Sequence, residues 1–158
     1  MNKLPKVRIK QVADGGLYST EKITSPEDAV RLMRRYLKDA DREIVLVATF
    51  DTAMHPINVT VVSMGTVNGT LAAGREIFKT AILSNATGII MMHNHPSGDP
   101  SPSREDKQLT KSVQEAGNLL GIRLMDHIIT TGSSYYSFQE EGVLTDICHL
   151  QAAERNNI

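Results

Sequence analysis

The chain has 158 residues, of which 41% are hydrophobic and 22% charged, with a formal net charge of −1. One domain of this length can bury a core without disulfide staples. The single cysteine, Cys148, excludes a disulfide framework or a zinc site built on several thiolates and fits a reducing cytosol, and the near-zero charge gives no drive for strong nonspecific nucleic-acid binding.

Residues 1–10 lack the apolar core of a signal peptide, and no run approaches the ~20 apolar residues of a membrane span, so a cytoplasmic protein with no membrane partner is expected. Residues 7–12 alternate apolar and polar, as in a short edge strand or an ordered arm, until Asp14-Gly15-Gly16 breaks the pattern. Ser25-Pro26-Glu27-Asp28 is a helix start, with Ser as N-cap, Pro in the first turn and acids at the positive end of the dipole. That helix should run to about Leu37 with Val30, Met33 and Leu37 on its buried face. Residues 43–50 form a nearly continuous apolar run, the pattern of a strand covered on both faces. After a turn at 51–56, residues 58–64 should return as its hairpin partner.

A loop is expected at 65–69 and a helix over 74–85, through Ile77, Ala81 and Ile82. Residues 88–92 read as a second buried strand ending in His93, and 94–102, dense in Pro, Gly and Ser, as loop. Ser103 should cap a long helix with the stripe Leu109, Val113, Ala116 and Leu120, closed by Gly121. Residues 122–130 and 135–139 read as two more strands around Gly132-Ser133-Ser134, and 144–153 as a helical tail. The order predicts an α/β domain, a mixed β-sheet layered with helices. It divides into an arm at 1–24, a core domain at 25–142 and a tail at 143–158.

The chemistry concentrates in His93-Asn94-His95, Ser103 and Asp106. Strand ends and the loops beyond them are where ligand crevices form. Two imidazoles and a carboxylate suit zinc, and three protein ligands leave a fourth position for water, as in a catalytic site. Ser103-x-x-Asp106 is also a capping box, and a serine in that position can hold the helix start while presenting its hydroxyl to a ligand.

His93-x-His95-x7-Ser103-x2-Asp106 resembles the JAMM motif of the MPN (JAB) metalloprotease superfamily. The whole stretch from His93 to Asp106 resembles the RadC-like branch, as do Ser63-Met64-Gly65-Thr66, Arg75-Glu76-Ile77-Phe78, Asp126-His127-Ile128-Ile129 and Tyr135-Tyr136-Ser137-Phe138. The resemblance covers about residues 25–142. It implies a cytidine-deaminase-like three-layer arrangement and one Zn2+ held by His93, His95 and Asp106. It also implies an oxyanion-stabilising Ser103 and a glutamate as general base. Glu43, at the start of the first sheet strand, is the expected base, with Glu76 as runner-up. The implied activity is that of a zinc metallopeptidase or isopeptidase acting on a protein or peptide substrate. Many superfamily members carry Ser or Thr where this chain has Asn94. The family also bears a DNA-repair label, although the helix-hairpin-helix segment of longer RadC-like proteins has no counterpart in the roughly 40 residues before the first core strand.

Two other readings follow from the residues. Arg31, Arg34, Arg35 and Lys38 fall on one helical face, and residues 1–40 hold nine basic side chains against five acidic ones. Such a face is either a solvated surface or a dock for an acidic partner or nucleic acid, as in a repair or recombination accessory factor. A zinc-retaining interaction scaffold with little activity is the third reading. Among the remaining residues, His127 is structural, or else supports a zinc ligand or binds substrate, and His55 and His149 belong to surface or packing. Asp99 is an alternative ligand or, by turn chemistry, a brace for its loop, with the brace favoured, and Cys148 is a small buried residue.

Overall fold

Apolar runs that must be covered on both faces build the centre of the sheet. In this computed structural model, which describes residues 8–13, 15, 22–37, 40, 42–62 and 70–144, every residue of β1 (Val45–Phe50) and of β3 (Gly88–Asn94) is buried. They pair antiparallel to each other. Strand β2 (Pro56–Val62) returns from β1 as a hairpin and lies half-buried at one edge. Strand β4 (Arg123–Thr130) lies parallel to β3, and the short β5 (Tyr135–Ser137) closes the other edge, in the order β2-β1-β3-β4-β5. A parallel pair needs a crossover. Helix α3 (Arg104–Leu120) supplies it between β3 and β4.

Strand alternation then sorts the core into two layers. Val45, Val47, Ile89 and Met91 face α2 (Thr70–Leu83) and α3, where they meet Ile77, Phe78, Leu109 and Val113. Leu46, Ala48, Phe50, Ile90 and Met92 face the opposite side, where α1 (Pro26–Leu37) covers them with Ala29, Val30, Met33 and Leu37. The result is the expected α/β fold, with a mixed five-stranded sheet between α1 and the α2–α3 pair. No helix among the described residues is long and apolar enough to cross a membrane.

Several details depart from the sequence pattern. Residues 8–13 form no strand; they lie as an arm whose Gln11 amide donates to the Thr80 carbonyl at 3.1 Å and to Ser84 Oγ at 3.0 Å. Strand β1 starts at Val45, the first residue paired with both β2 and β3, so Glu43 precedes the strand. Helix α2 begins at Thr70, four residues before its expected start. On α3 the buried stripe is Asp106, Leu109, Thr110, Val113 and Gly117, with Leu120 47% exposed. The helix stops at Gly121, whose φ of 69° suits glycine, and the chain turns back so that Ile122 takes the burial Leu120 was expected to have. Strand β5 ends at Ser137 because Asp126 captures the following backbone. Its carboxylate accepts from Ser137 Oγ at 2.6 Å and from the Gln139 N–H at 3.0 Å. Burial pushes the Asp126 carboxyl up to about 6 despite those two bonds. Lys38, Cys148, His149, the 65–69 loop and all but the first residue of the expected tail helix lie outside the described residues.

Candidate metal centre

Antiparallel pairing of β1 with β3 decides where the site lies. Val45 sits opposite His93, so the start of β1 and the end of β3 share one sheet edge. Glu43, two residues before Val45, therefore comes beside the two histidines. Alternation along β3 turns His93 to the same face as Ile89 and Met91, toward α3. The first turn of α3 is held by a full capping box. Ser103 Oγ accepts from the Asp106 N–H at 3.0 Å, and Asp106 Oδ2 accepts from the Ser103 N–H at 2.7 Å. That box aims the Asp106 carboxylate back at the end of β3.

Glu43, His93, His95 and Asp106 meet there, with one potential ligand atom from each lying within 4.8 Å of all the others. His93 Nε2 is 3.0 Å from His95 Nε2 and 3.2 Å from Asp106 Oδ1, and His95 Nε2 is 3.5 Å from Asp106 Oδ2. Ligands about 2 Å from a tetrahedral ion are separated by roughly 3.3 Å. The histidine–histidine–aspartate triangle fits that spacing. Glu43 Oε1 stands farther off, 3.7 Å from His93 Nε2, on a side chain 51% exposed. That leaves it on the open side, beside the triangle.

Each member is oriented from behind. His95 Nδ1 is 2.9 Å from the Asp99 carbonyl, which can only accept, so Nδ1 carries the proton and Nε2 is free for the cluster. Asp99 thus braces the site through its backbone, while its carboxylate caps the Ser101 N–H at 2.9 Å. Burial alone would raise the Asp106 carboxyl. Its contact with His93 and the hydrogen bonds from Ser103 overcome burial and hold it well below the usual carboxylate range. The Ser103 hydroxyl donates to Asp106 Oδ2 at 2.6 Å, so its single proton is committed to the aspartate in this state.

Two partners of the site, Asn94 and Thr110, have no role that the sequence pattern assigns. Asn94 alternates to the face away from its neighbouring histidines. Its amide oxygen accepts the Ile44 N–H at 2.8 Å and its amide nitrogen donates to the Arg42 carbonyl at 2.9 Å. It therefore clamps the backbone on both sides of Glu43. Thr110, one turn beyond Asp106, reaches His127 Nδ1 at 2.6 Å. Its only sequence signal is the four-residue spacing from Asp106. His127 is fully buried, 2.9 Å from His93 Nδ1 and stacked on Phe138. Burial, with His93 beside it, holds its pKa well below the usual imidazole range.

The other candidates lie elsewhere. Glu76 is exposed on α2 and pairs with Lys79 at 2.7 Å. His55 pairs with Asp51 in the β1–β2 turn at 3.3 Å. On the basic face of α1, Arg31 pairs with Asp28 at 2.8 Å, and half-buried Arg34 donates to the Thr131 carbonyl at 3.3 Å. Arg35 is exposed.

Residues 23–143 match the model of the RadC-like JAB domain family. A UPF0758 protein of Thermotoga maritima is 46% identical over 104 residues, which cover 66% of this chain and 47% of that protein. UPF0758 proteins of Methanosarcina mazei and Clostridium beijerinckii are 42% and 41% identical over 121 and 123 residues, covering 77% and 78% of this chain and 53% and 54% of theirs. The chain spans about half the length of the curated relatives it matches.

Proposed function

The chain belongs to the RadC-like JAB domain family, and from that premise we propose that it is a zinc-dependent amide hydrolase acting on a protein or peptide in the cytoplasm. The observation that carries the proposal is the triangle of His93 Nε2, His95 Nε2 and Asp106, with edges of 3.0, 3.2 and 3.5 Å and an exposed carboxylate beside it. The donor set favours zinc, since two imidazoles and one carboxylate suit that ion and three protein ligands leave a position for water. Bound there, zinc would acidify a water and polarise a substrate carbonyl.

The chain's own residues supply the rest. Glu43 would take a proton from the attacking water and return it to the leaving amine. Its position on the open side, with Asn94 holding the backbone around it, supports that role. Ser103 would hydrogen-bond the oxyanion, which requires its hydroxyl to turn from Asp106 Oδ2 toward the substrate.

Metal analysis of the purified protein, together with His95→Ala and Glu43→Gln variants, tests this reading. Wild type and Glu43→Gln should hold about one zinc per chain, His95→Ala should not, and only wild type should hydrolyse peptide or isopeptide substrates. Equal zinc content in wild type and His95→Ala would refute the metal site. Turnover by Glu43→Gln at the wild-type rate would refute the base. Zinc binding without turnover on any amide substrate would favour the scaffold.

A further inference from the structure

The metal-site reading leaves a buried histidine and a buried threonine without a task. His93, His127 and Thr110 form one line of hydrogen bonds leading from the cluster into the core. His127 Nε2 is 2.9 Å from His93 Nδ1, His127 Nδ1 is 2.6 Å from Thr110 Oγ1, and Thr110 Oγ1 is 2.7 Å from the Asp106 carbonyl oxygen.

With His127 uncharged, as full burial between a hydroxyl and a second imidazole favours, the line has only one consistent set of protons. Thr110 has a single hydroxyl proton, and a carbonyl oxygen can only accept. If the hydroxyl pointed at His127, two oxygen acceptors would face each other at 2.7 Å with no proton between them, inside the protein where unpaired polar groups are costly. The hydroxyl therefore donates to the Asp106 carbonyl and accepts from the protonated Nδ1 of His127. A neutral imidazole has one donor and one acceptor, so His127 Nε2 carries a lone pair and must accept from His93 Nδ1–H. His93 Nε2 is then the nitrogen left for the cluster.

We infer that Thr110 and His127 are positioning residues that hold His93 with its proton on Nδ1 and its Nε2 lone pair turned to the metal, an inference that rests on the metal-site reading. Histidine ligands commonly donate their second nitrogen to a carboxylate or carbonyl, which fixes the ring in the same way. Here a second histidine does so, and its own direction is set by a helix carbonyl two bonds away. The terminus of the line is the backbone of Asp106, itself a proposed ligand, so the first turn of α3 orients both Asp106 and His93.

Side-chain 15N NMR of the zinc-loaded wild-type protein reads the proton positions directly. His127 should be protonated at Nδ1 and bare at Nε2, the reverse of the commoner tautomer. A proton on His127 Nε2 overturns the inference. Zinc competition titrations then read the consequence. Thr110→Val, which keeps the shape and removes the hydroxyl, should weaken zinc binding by about 10- to 100-fold, the usual effect of losing an outer partner. Thr110→Ser should restore it to within about 3-fold of wild type, a rescue that lost packing alone would not produce. Wild-type affinity in Thr110→Val overturns this inference while leaving the metal site standing. Failure of the wild type to bind zinc overturns the metal-site reading and this inference with it. The NMR measurement needs no variant, so a poorly folding Thr110→Val protein does not block the test.

Discussion

Replacing Asn94 with alanine separates holding the metal from positioning the base. Asn94 is 8% exposed and makes two hydrogen bonds, to the Ile44 N–H at 2.8 Å and the Arg42 carbonyl at 2.9 Å. Each is worth about 1 kcal/mol net. Arg42 is exposed, so water can replace the lost donor there, while the half-buried Ile44 N–H is harder to rehydrate. The expected loss is therefore about 1–3 kcal/mol, read as a lower guanidinium midpoint at unchanged slope in metal-free protein. The Asn94 side chain bonds the backbone of Arg42 and Ile44 and not the ligand atoms of the triangle, so zinc affinity should stay within about 3-fold of wild type. Glu43 loses its clamp, and misplacing a reacting group by an ångström costs on the order of 100-fold in rate. Amide hydrolysis should fall by about 10- to 100-fold. A stability loss below about 0.5 kcal/mol would refute the clamp, and a parallel fall in zinc affinity would show that Asn94 supports the ligands instead of Glu43.

Three further predictions concern stability. The Asp126 carboxyl has its pKa raised from 3.8 to about 6 in the folded chain, so the folded state holds its proton more tightly than the unfolded one. Its contribution is then fully present below about pH 4 and lost as pH rises through 6, a change of about 3 kcal/mol; Asp126→Asn should remove that slope in denaturation at pH 4, 5, 6 and 7. Gly117→Ala should destabilise by about 1–3 kcal/mol, because the new Cβ would lie 2.4 Å from the Ile122 carbonyl oxygen and 3.3 Å from Phe78 Cζ, a clash that outweighs the ~1 kcal/mol helix gain of alanine. A net gain in midpoint would refute that packing argument. Zinc at 100 times its Kd should stabilise the wild type by about 2.7 kcal/mol and leave His95→Ala unchanged.

What could be read along the chain was whatever depends on neighbours. The two-residue alternation and the apolar runs of β1 and β3 announce strands buried on both faces, and Ser103 and Gly121 mark the ends of α3 because caps are local hydrogen-bond problems. His93, His95, Ser103 and Asp106 were legible for the same reason, since they lie within 14 residues of one another. Glu43, 50 residues before His93, entered only through the family resemblance, and no spacing rule reaches that far.

Tertiary structure decided the rest. The antiparallel register of Val45 on His93 brings Glu43 to the cluster. The parallel register of Met91 on His127 puts a buried imidazole behind His93. The alternation that aims His93 at α3 sends Asn94 to the other face, where its amide finds the backbone around Glu43. Sequence determined which side chains sit at strand ends and helix starts, because those signals are short-ranged. Which of them share a site was decided by strand pairing and the α3 crossover, because only these bring residues distant along the chain within a few ångströms of one another.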